Sequence, residues 1–402
     1  MMKILLLTPQ EPYPPHQGTS LRNFYILKGL SLQHEITLLT FRDFLTGFKP
    51  ATTTILDDLC QEIYTVPAPN RTMATRLKRL FVDRRPDMAH RLESPAFNTA
   101  LTQLLTEQSF DVVQIEGIEL AQSMALVRQH SPHSRLIFDD HNAETELQRR
   151  AFLTDLRHPT RWPAALYSWI QVGRLRRFER WACQTADAVT VVSETDAAHI
   201  RSLGVTTSVT VIPNSLDIME YRTRETEPAF DYDLIFSGKM DYRPNIDAVL
   251  WFADEIWPFL KEKRPQITWV IVGQKPHARL ERLKEMSGIT ITGWVESVQP
   301  YLAGAAVYVM PFRMGSGTRL KLIEAMAAGK AIVSTPVGAE GFPVTHDREL
   351  LLADDPVQFA ESVLALLEAG ERREELGKKA AEFAEQYDWR VIVPAFEEAY
   401  KL

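Results

Sequence analysis

The sequence predicts an α/β protein built from two doubly wound, Rossmann-like domains. Short continuous apolar runs alternate with longer helical patterns through both halves of the chain. The runs lack polar alternation, as strands do when a parallel sheet is covered on both faces. The chain has 402 residues, and at about 150 residues per domain that exceeds one ordinary core.

In the first half, residues 4–7 form a compact run ended by Thr8 and Pro9, and the turn-rich EPYPPHQGTS follows. A helical pattern covers 21–30, and EITLLTF reads as the second strand. Further strands are expected at 111–115, 135–138, 188–192 and 209–212, with helical segments between. The second half repeats this order. DLIFSG precedes the helical NIDAVLWFADEIWPFL, TWVIVG precedes HARLERLKEM, AVYVMP precedes TRLKLIEAMAAG, and AIVST leads to ELLLADD and PVQFAESVLALLEAG. Val249, Phe252, Ala253, Ile256 and Leu260 recur at helical spacing, so one face of that helix packs on a sheet. The polar stretch IPNSLDIMEYRTRETEPAFD marks the boundary, giving domains 1–212 and 213–388. The last segment, with Pro394 inside it, is expected as a helix over 389–402 crossing back to the first domain.

Composition narrows the function classes. Apolar residues make up 45% and charged residues 24%, as in ordinary soluble globular chains. Lys and Arg number 45 against 52 Asp and Glu, a net charge of −7, which argues against a nucleic-acid binder with its basic domain. Cys60 and Cys183 are too few for a disulfide framework and indicate a reducing compartment. The N-terminal apolar run is stopped by Pro9 before it can serve as a signal core, and no run of about 18 apolar residues occurs. The expectation is a soluble, cytoplasmic protein.

Open parallel sheets bind ligands at the carboxyl ends of their strands. After AVYVMP comes a loop with Gly315, Ser316 and Gly317, and a helix is expected to open near Thr318. Glycines there let a ligand approach backbone N–H groups at the positive end of the helix, which suits a phosphate. Within that helix, Lys321 and Glu324 interrupt an apolar run. A carboxylate in such company needs a hydrogen-bonding partner. A ribose diol is one, and an exposed i, i+3 ion pair with Lys321 is the other.

The order of motifs resembles the family 4 retaining glycosyltransferases, two-domain GT-B proteins that use nucleotide-diphosphate sugars. VTVIPNSLD is similar to the family's hinge motif, with Ser215 at its usual glycine, and FSGKMDYRPNIDAVLWF to the start of its donor domain. WVIVGQKP, TGWVESV and KLIEAMAAGKAIVSTPVGAEGF follow in family order, and PPHQGTSLRNFYILKGLSLQHEITLLT resembles its glycine loop, first helix and second strand. The pattern GSGTRLKLIEAMAAGK resembles bacterial exopolysaccharide sugar transferases in particular.

The resemblance implies two domains facing across a cleft, acceptor side first and donor side second. It implies roles residue by residue. Glu324 would hold the ribose hydroxyls, while the family's first glutamate is replaced by Ser316. Lys239, after the strand-end Gly238, replaces an arginine beside the diphosphate. A family lysine falls on Pro244, so Arg243 or Lys321 would supply the second charge. Gly273 and the Gly293-Trp294-Val295 turn would flank the nucleobase, with a core position as the alternative for Trp294. His141, beyond the strand in LIFDDHNAE, matches the histidine that faces the reacting sugar, while Asp139 and Asp140 would satisfy loop backbone donors. Gly18 and Thr19 match the glycine loop at the donor phosphate, the alternative being a plain turn and cap before a helix.

The implied reaction is metal-independent transfer with retention, in which cationic groups and a helix start neutralise the departing phosphate. His141 would polarise or orient, and no cofactor is expected. The acceptor would be a glycan or a lipid-linked glycan, in cell-surface or exopolysaccharide synthesis. Asp231 and Asp233 form a DxD pattern but precede their strand, the wrong end for a donor metal. His16, His130, His133 and His141 lack zinc-ligand spacing. Two alternatives remain: a nucleotide-sugar 2-epimerase, and a non-catalytic nucleotide-binding scaffold, for which Ser316 and Pro244 speak. Residues 71–91 carry seven basic against two acidic residues, and 149–181 carry eight against two, with Trp162, Trp169 and Trp181 interleaved. They suit peripheral contact with an anionic membrane, on the inner face of the plasma membrane. Equally, they suit a solvated basic helix whose tryptophans face the core.

Overall fold

A computed structural model describes residues 1–401 except 16–17, 43–54, 157–158, 223–226, 229 and 316–317. The chain divides into two compact units, Met1–Ser215 with Trp389–Leu402, and Leu216–Asp388.

The first unit is a seven-stranded sheet of β1 (Lys3–Thr8), β2 (Glu35–Arg42), β3 (Glu62–Pro67), β4 (Val112–Glu116), β5 (Arg135–Asp140), β6 (Ala188–Val191) and β7 (Ser208–Val211). Its order is β3-β2-β1-β4-β5-β6-β7, with every pairing parallel. Around it lie α1 (Gly18–Leu30), α2 (Ile55–Leu59), α3 (Met73–Val82), α4 (Pro95–Glu107), α5 (Met124–His130), α6 (Glu144–Leu156), α7 (Trp162–Thr185) and α8 (Glu194–Ser202). Ile4, Leu5, Leu6 and Leu7 are wholly buried, which is why β1 reads as an unbroken apolar run. β3 escapes that reading because only Val66 of it is buried, as befits an edge strand.

The second unit is a six-stranded parallel sheet of β8 (Tyr232–Ser237), β9 (Trp269–Val272), β10 (Ile289–Gly293), β11 (Ala305–Met310), β12 (Ala331–Ser334) and β13 (Leu351–Leu352), in the order β10-β9-β8-β11-β12-β13. Its helices are α9 (Ile218–Tyr221), α10 (Arg243–Trp251), α11 (Trp257–Lys263), α12 (Gln299–Gly304), α13 (Leu320–Ala327), α14 (Pro356–Glu368) and α15 (Gly370–Ala384). The helix expected over NIDAVLWFADEIWPFL is α10 and α11 joined by a π turn at Phe252–Ile256. That wide turn precedes Pro258, which cannot donate to the ladder. HARLERLKEM forms a 3-10 segment, Ala278–Glu285, rather than an α-helix.

The last segment is two short helices, α16 (Trp389–Ile392) and α17 (Pro394–Lys401), broken at Pro394. Both belong to the first unit: the Tyr400 hydroxyl donates to Gln114 Oε1, and Arg135 Nε donates to the Ala399 carbonyl at 3.2 Å.

In each sheet, chain progression reverses between two central strands: β1 and β4 in one unit, β8 and β11 in the other. The connections leaving those neighbours go to opposite faces and open a crevice at the carboxyl edge.

Candidate functional site

In the second unit the crevice opens where β8 and β11 end. Gly238 follows β8 and Gly273 follows β9, at φ 149° and 158°. A Cβ on Gly238 would fall 2.4 Å from Lys321 Nζ, and one on Gly273 would fall 1.7 Å from the Gly238 carbonyl oxygen. Only bare backbone fits, and the space a side chain would fill holds an ammonium group. Lys321 Nζ donates to Asn245 Oδ1 at 2.8 Å, and Asn245 Nδ2 donates to the Lys239 carbonyl at 2.8 Å. Asn245, buried in the first turn of α10, thus ties the post-β8 loop to α13.

Two cations share one aromatic floor. The Arg319 guanidinium lies 4.4 Å and Lys321 Nζ 5.1 Å from the Phe312 ring centroid, and Lys321 is 4.9 Å from that of Phe236. Arg319 precedes α13 and donates to the Val337 and Met314 carbonyls at 3.1 and 3.4 Å. Burial, with Arg319 adding to it, pulls the Lys321 ammonium down to about 7, and Glu324 only partly opposes this. The site therefore holds concentrated positive charge that an anion would relieve. Glu324 accepts from the Tyr221 hydroxyl at 3.3 Å. Burial raises its carboxyl, against Lys321 and Tyr221. Of the two sequence readings, the Lys321–Glu324 ion pair does not form: each side chain takes another partner.

The helix after β11 opens at Leu320 rather than Thr318. Gly315 takes φ 119°, while Ser316 and Gly317 lie outside the described residues. Lys239 is half-exposed, 3.7 Å from Asp241. Arg243 starts α10, and Pro244 is buried beside it. Trp294 is 65% exposed, so the core alternative is corrected. It follows Gly293, at φ 74°, on an edge strand with little sheet to pack on, next to the half-buried Val295. Asp233 is occupied structurally, accepting from the Thr268 amide at 2.8 Å and lying 3.2 Å from Arg264.

In the first unit, His141 follows β5. Its Nε2 lies 2.8 Å from Glu116 Oε2, at the end of β4, and 3.4 Å from Asp139 Oδ2. Asp139 in turn meets Arg22 of α1 bidentately, at 2.6 and 2.7 Å, and accepts from Thr190. Arg22 also donates to the Ile212 carbonyl at 3.0 Å and to Asn214 at 3.2 Å. Gln114 donates to Glu116 Oε1 at 2.5 Å and accepts from Tyr400. Burial disfavours the imidazolium, yet Asp139 and Glu116 outweigh it and raise His141 to about 9. Burial and Asp139 raise Glu116 to about 7, against His141. Burial also disfavours the Asp139 carboxylate, but Arg22 holds it well below the ordinary range. Among the described residues, Glu116, Asp139 and His141 also place three ligand atoms within 4.8 Å of one another. Here the two carboxylates are engaged by His141 Nε2, and Asp139 by the Arg22 guanidinium as well.

Several expectations need correction. Asp139 and Asp140 do not cap loop backbone: Asp139 is held by side chains, and both Asp140 oxygens are buried without a partner. Gly18 and Thr19 form the first turn of α1 rather than a loop, because the helix starts three residues before its first apolar position. Arg22, Glu116, Asn245, Arg319 and Tyr221 were not singled out from the sequence. A signal existed for Glu116 alone, as an acid ending the run VVQIE.

Burial raises the Asp140 carboxyl well above its ordinary range, and Glu179, Glu144 and Asp196 add to it. A raised folded-state value gives stability that is complete below the unfolded value of 3.8 and is lost as pH rises through the folded one. Asp140→Asn should therefore raise the melting temperature, by about 3–8 °C at alkaline pH for about 1–3 kcal/mol recovered, and by less in acid. Thermal melts at two pH values check this; a variant less stable at both refutes it.

A cavity of about 330 Å³ lies between α10, the 3-10 segment and Arg313. In its wall Arg282 pairs with Asp254 and Arg313 with Asp247.

Two family models match the chain: "Glycosyltransferase Family 4" over residues 25–220 and "Glycosyl transferases group 1" over 231–369. An uncharacterized 44.6 kDa protein in the cps region of Klebsiella pneumoniae is 20% identical over 90% of each chain. The phosphatidyl-myo-inositol mannosyltransferase of Mycolicibacterium smegmatis is 24% identical over 76% of this chain and 75% of its own. Among solved structures, the sucrose-phosphate synthase of Thermosynechococcus elongatus superposes with a TM-score of 0.72 at 18% identity, covering 100% of this chain and 98% of its own. Anabaena HepE in complex with UDP gives 0.67 at 14%, covering all of both chains.

Proposed function

We propose, from the premise that this chain belongs to glycosyltransferase family 4 and is a GT-B glycosyltransferase, that it transfers a sugar from a nucleotide-diphosphate sugar to a glycan or lipid-linked acceptor, with retention and without a divalent metal. The second unit serves the donor and the first the acceptor. The observation that carries this reading is the Lys321 ammonium standing over bare Gly238, beside Asn245. HepE structures contain UDP and UDP-glucose, which supports a nucleoside diphosphate as the anion this crevice takes.

Bond cleavage leaves negative charge on the departing diphosphate. Lys321 and Lys239, the exposed start of α10 with Arg243, and the backbone N–H groups before α13 stabilise it where it develops, as preorganised dipoles and charges do. Lys321 gains most from this because burial has already desolvated it. Glu324 takes the ribose hydroxyls through the oxygen that Tyr221 leaves unused, and the exposed Trp294 stacks on the base with Gly273 and Val295 beside it. His141, cationic up to about pH 9, polarises and orients on the acceptor side. Metal independence is supported by charge balance: Arg22 and a protonated His141 already offset Asp139 and Glu116. The cps-region relative supports a role in polysaccharide synthesis.

The test is a thermal-shift panel of UDP, GDP and TDP and their sugars with chelator present. One diphosphate should protect, and Glu324→Ala should abolish most of that protection. Equal protection of the variant removes the ribose assignment. Turnover lost to chelator and restored by manganese removes metal independence.

A further inference from the structure

The helix α7 spans 24 residues, and its two faces differ sharply. Ala165, Ser168, Gln171, Leu175, Phe178 and Ala182 are buried against the first unit. On the opposite face, at steps of three and four, stand Trp162, Leu166 and Trp169, at 58%, 59% and 62% exposure, followed by Arg176, Arg177 and Arg180, all exposed. The alternative that the tryptophans of this segment face the core thus fails for Trp162 and Trp169, and Trp181 at the other end of the helix is exposed as well. Apolar side chains occupy the far end of this stripe and cations the near end.

The far end is the tip of the α6–α7 hairpin. The Trp162 indole N–H donates to the Leu156 carbonyl at 3.3 Å, which places it against the end of α6, where Leu153 and Leu156 are also exposed. The Thr145 amide donates to Glu179 at 3.4 Å, so α7 passes the start of α6 there, just beyond the carboxyl end of β5. Seventeen residues separate Glu179 from Trp162, so at about 1.5 Å per residue the tip stands roughly 25 Å further along the helix. α3 lies beside the same helix, its Leu80 carbonyl accepting from Arg174 at 2.8 Å, and it ends in exposed Phe81 and Val82.

We propose that the α6–α7 hairpin docks this protein on an anionic bilayer surface. Trp162, Leu166 and Trp169 enter the headgroup layer, and Arg176, Arg177 and Arg180 meet lipid phosphates. Charge complementarity selects this occupant. Aromatic and aliphatic groups lead and guanidinium groups follow within three turns, the same sequence of polarity met on entering a membrane interface from its acyl side. No helix among the described residues is long and apolar enough to cross a membrane, so the contact is peripheral. It goes beyond the transfer reaction, since it needs neither donor nor acceptor.

The test uses the full chain without substrates, floated with vesicles of phosphatidylcholine alone or mixed with phosphatidylglycerol. The protein should co-float with the mixed vesicles only, and less as salt rises. Arg176→Ala/Arg177→Ala should weaken partitioning about thirtyfold, and Leu166→Glu/Trp169→Glu by about tenfold or more. All four side chains are exposed, so melting temperatures should hold. Absence of co-floating with anionic vesicles overturns the proposal, as does unchanged partitioning of both variants. A homodimer in light scattering that Trp169→Glu splits overturns it too, by making a second copy the occupant. None of these outcomes bears on donor binding, which is measured separately.

Discussion

Lys321→Met should lower kcat/KM by about 10²–10³-fold, the loss expected on removing one preorganised donor to a developing oxyanion, if Lys321 has the role proposed above. The longer consequence is in pH. In the free protein this ammonium titrates at about 7 rather than 10.5. Below pH 7 it is charged in folded and unfolded chains alike, and its burial costs stability in full. The cost fades as pH rises toward 10.5, where both states are neutral. A bound diphosphate raises the folded value again, so binding takes up a proton above pH 7 and none well below it. Affinity for the protecting diphosphate should fall about tenfold per pH unit above 7, up to the value in the complex. Calorimetry in buffers of different ionisation enthalpy reads the uptake directly. Uptake that persists in Lys321→Met places the proton elsewhere and removes this lysine from the phosphate site.

Arg22→Met costs about 3–5 kcal/mol, because it removes the bidentate cation from Asp139 at zero exposure, leaving that charge only Thr190 and the more distant His141, and takes a donor from the Ile212 carbonyl. For a unit of this size the melting temperature should drop by roughly 10 °C. Asp139→Asn placed on top should recover much of it, since the stranded charge is then gone. A drop below about 3 °C in the single variant, or a double variant no better than the single, refutes the account. The same arrangement keeps His141 cationic: Arg22 holds Asp139 ionised, and Asp139 and then Glu116 favour the imidazolium against its burial.

Most of the strands that the sequence pattern marks are buried on both faces, although the half-buried edge strand β7 is marked as well by its run at 209–212. β1, β8, β9 and β11 announce themselves because each side chain must be apolar. The edge strands β3 and β10 went unread, since an edge strand needs few apolar residues. The residues proposed for the donor side are marked by motif: Gly238, Lys239, Gly273, Lys321 and Glu324 lie in contiguous segments of strand, turn and helix. Their pairing is not. Lys321 and Glu324 sit three residues apart and could have paired on one helix turn, and only the packing of α10 and α9 against α13 gave them Asn245 and Tyr221 instead.

By itself, then, the amino-acid order determined two doubly wound sheets, the strand ends where chemistry gathers, and the glycines and charges standing there. These are local: burial period, turn residues and helix starts act within some ten residues. Tertiary structure alone decided which charges meet. Arg22 reaches Asp139 across 117 positions and Tyr400 reaches Gln114 across 286. It also decided that Trp162, Trp169 and Trp294 face outward. Burial of a polar or aromatic side chain depends on partners brought from distant segments, and no periodicity along the chain encodes them.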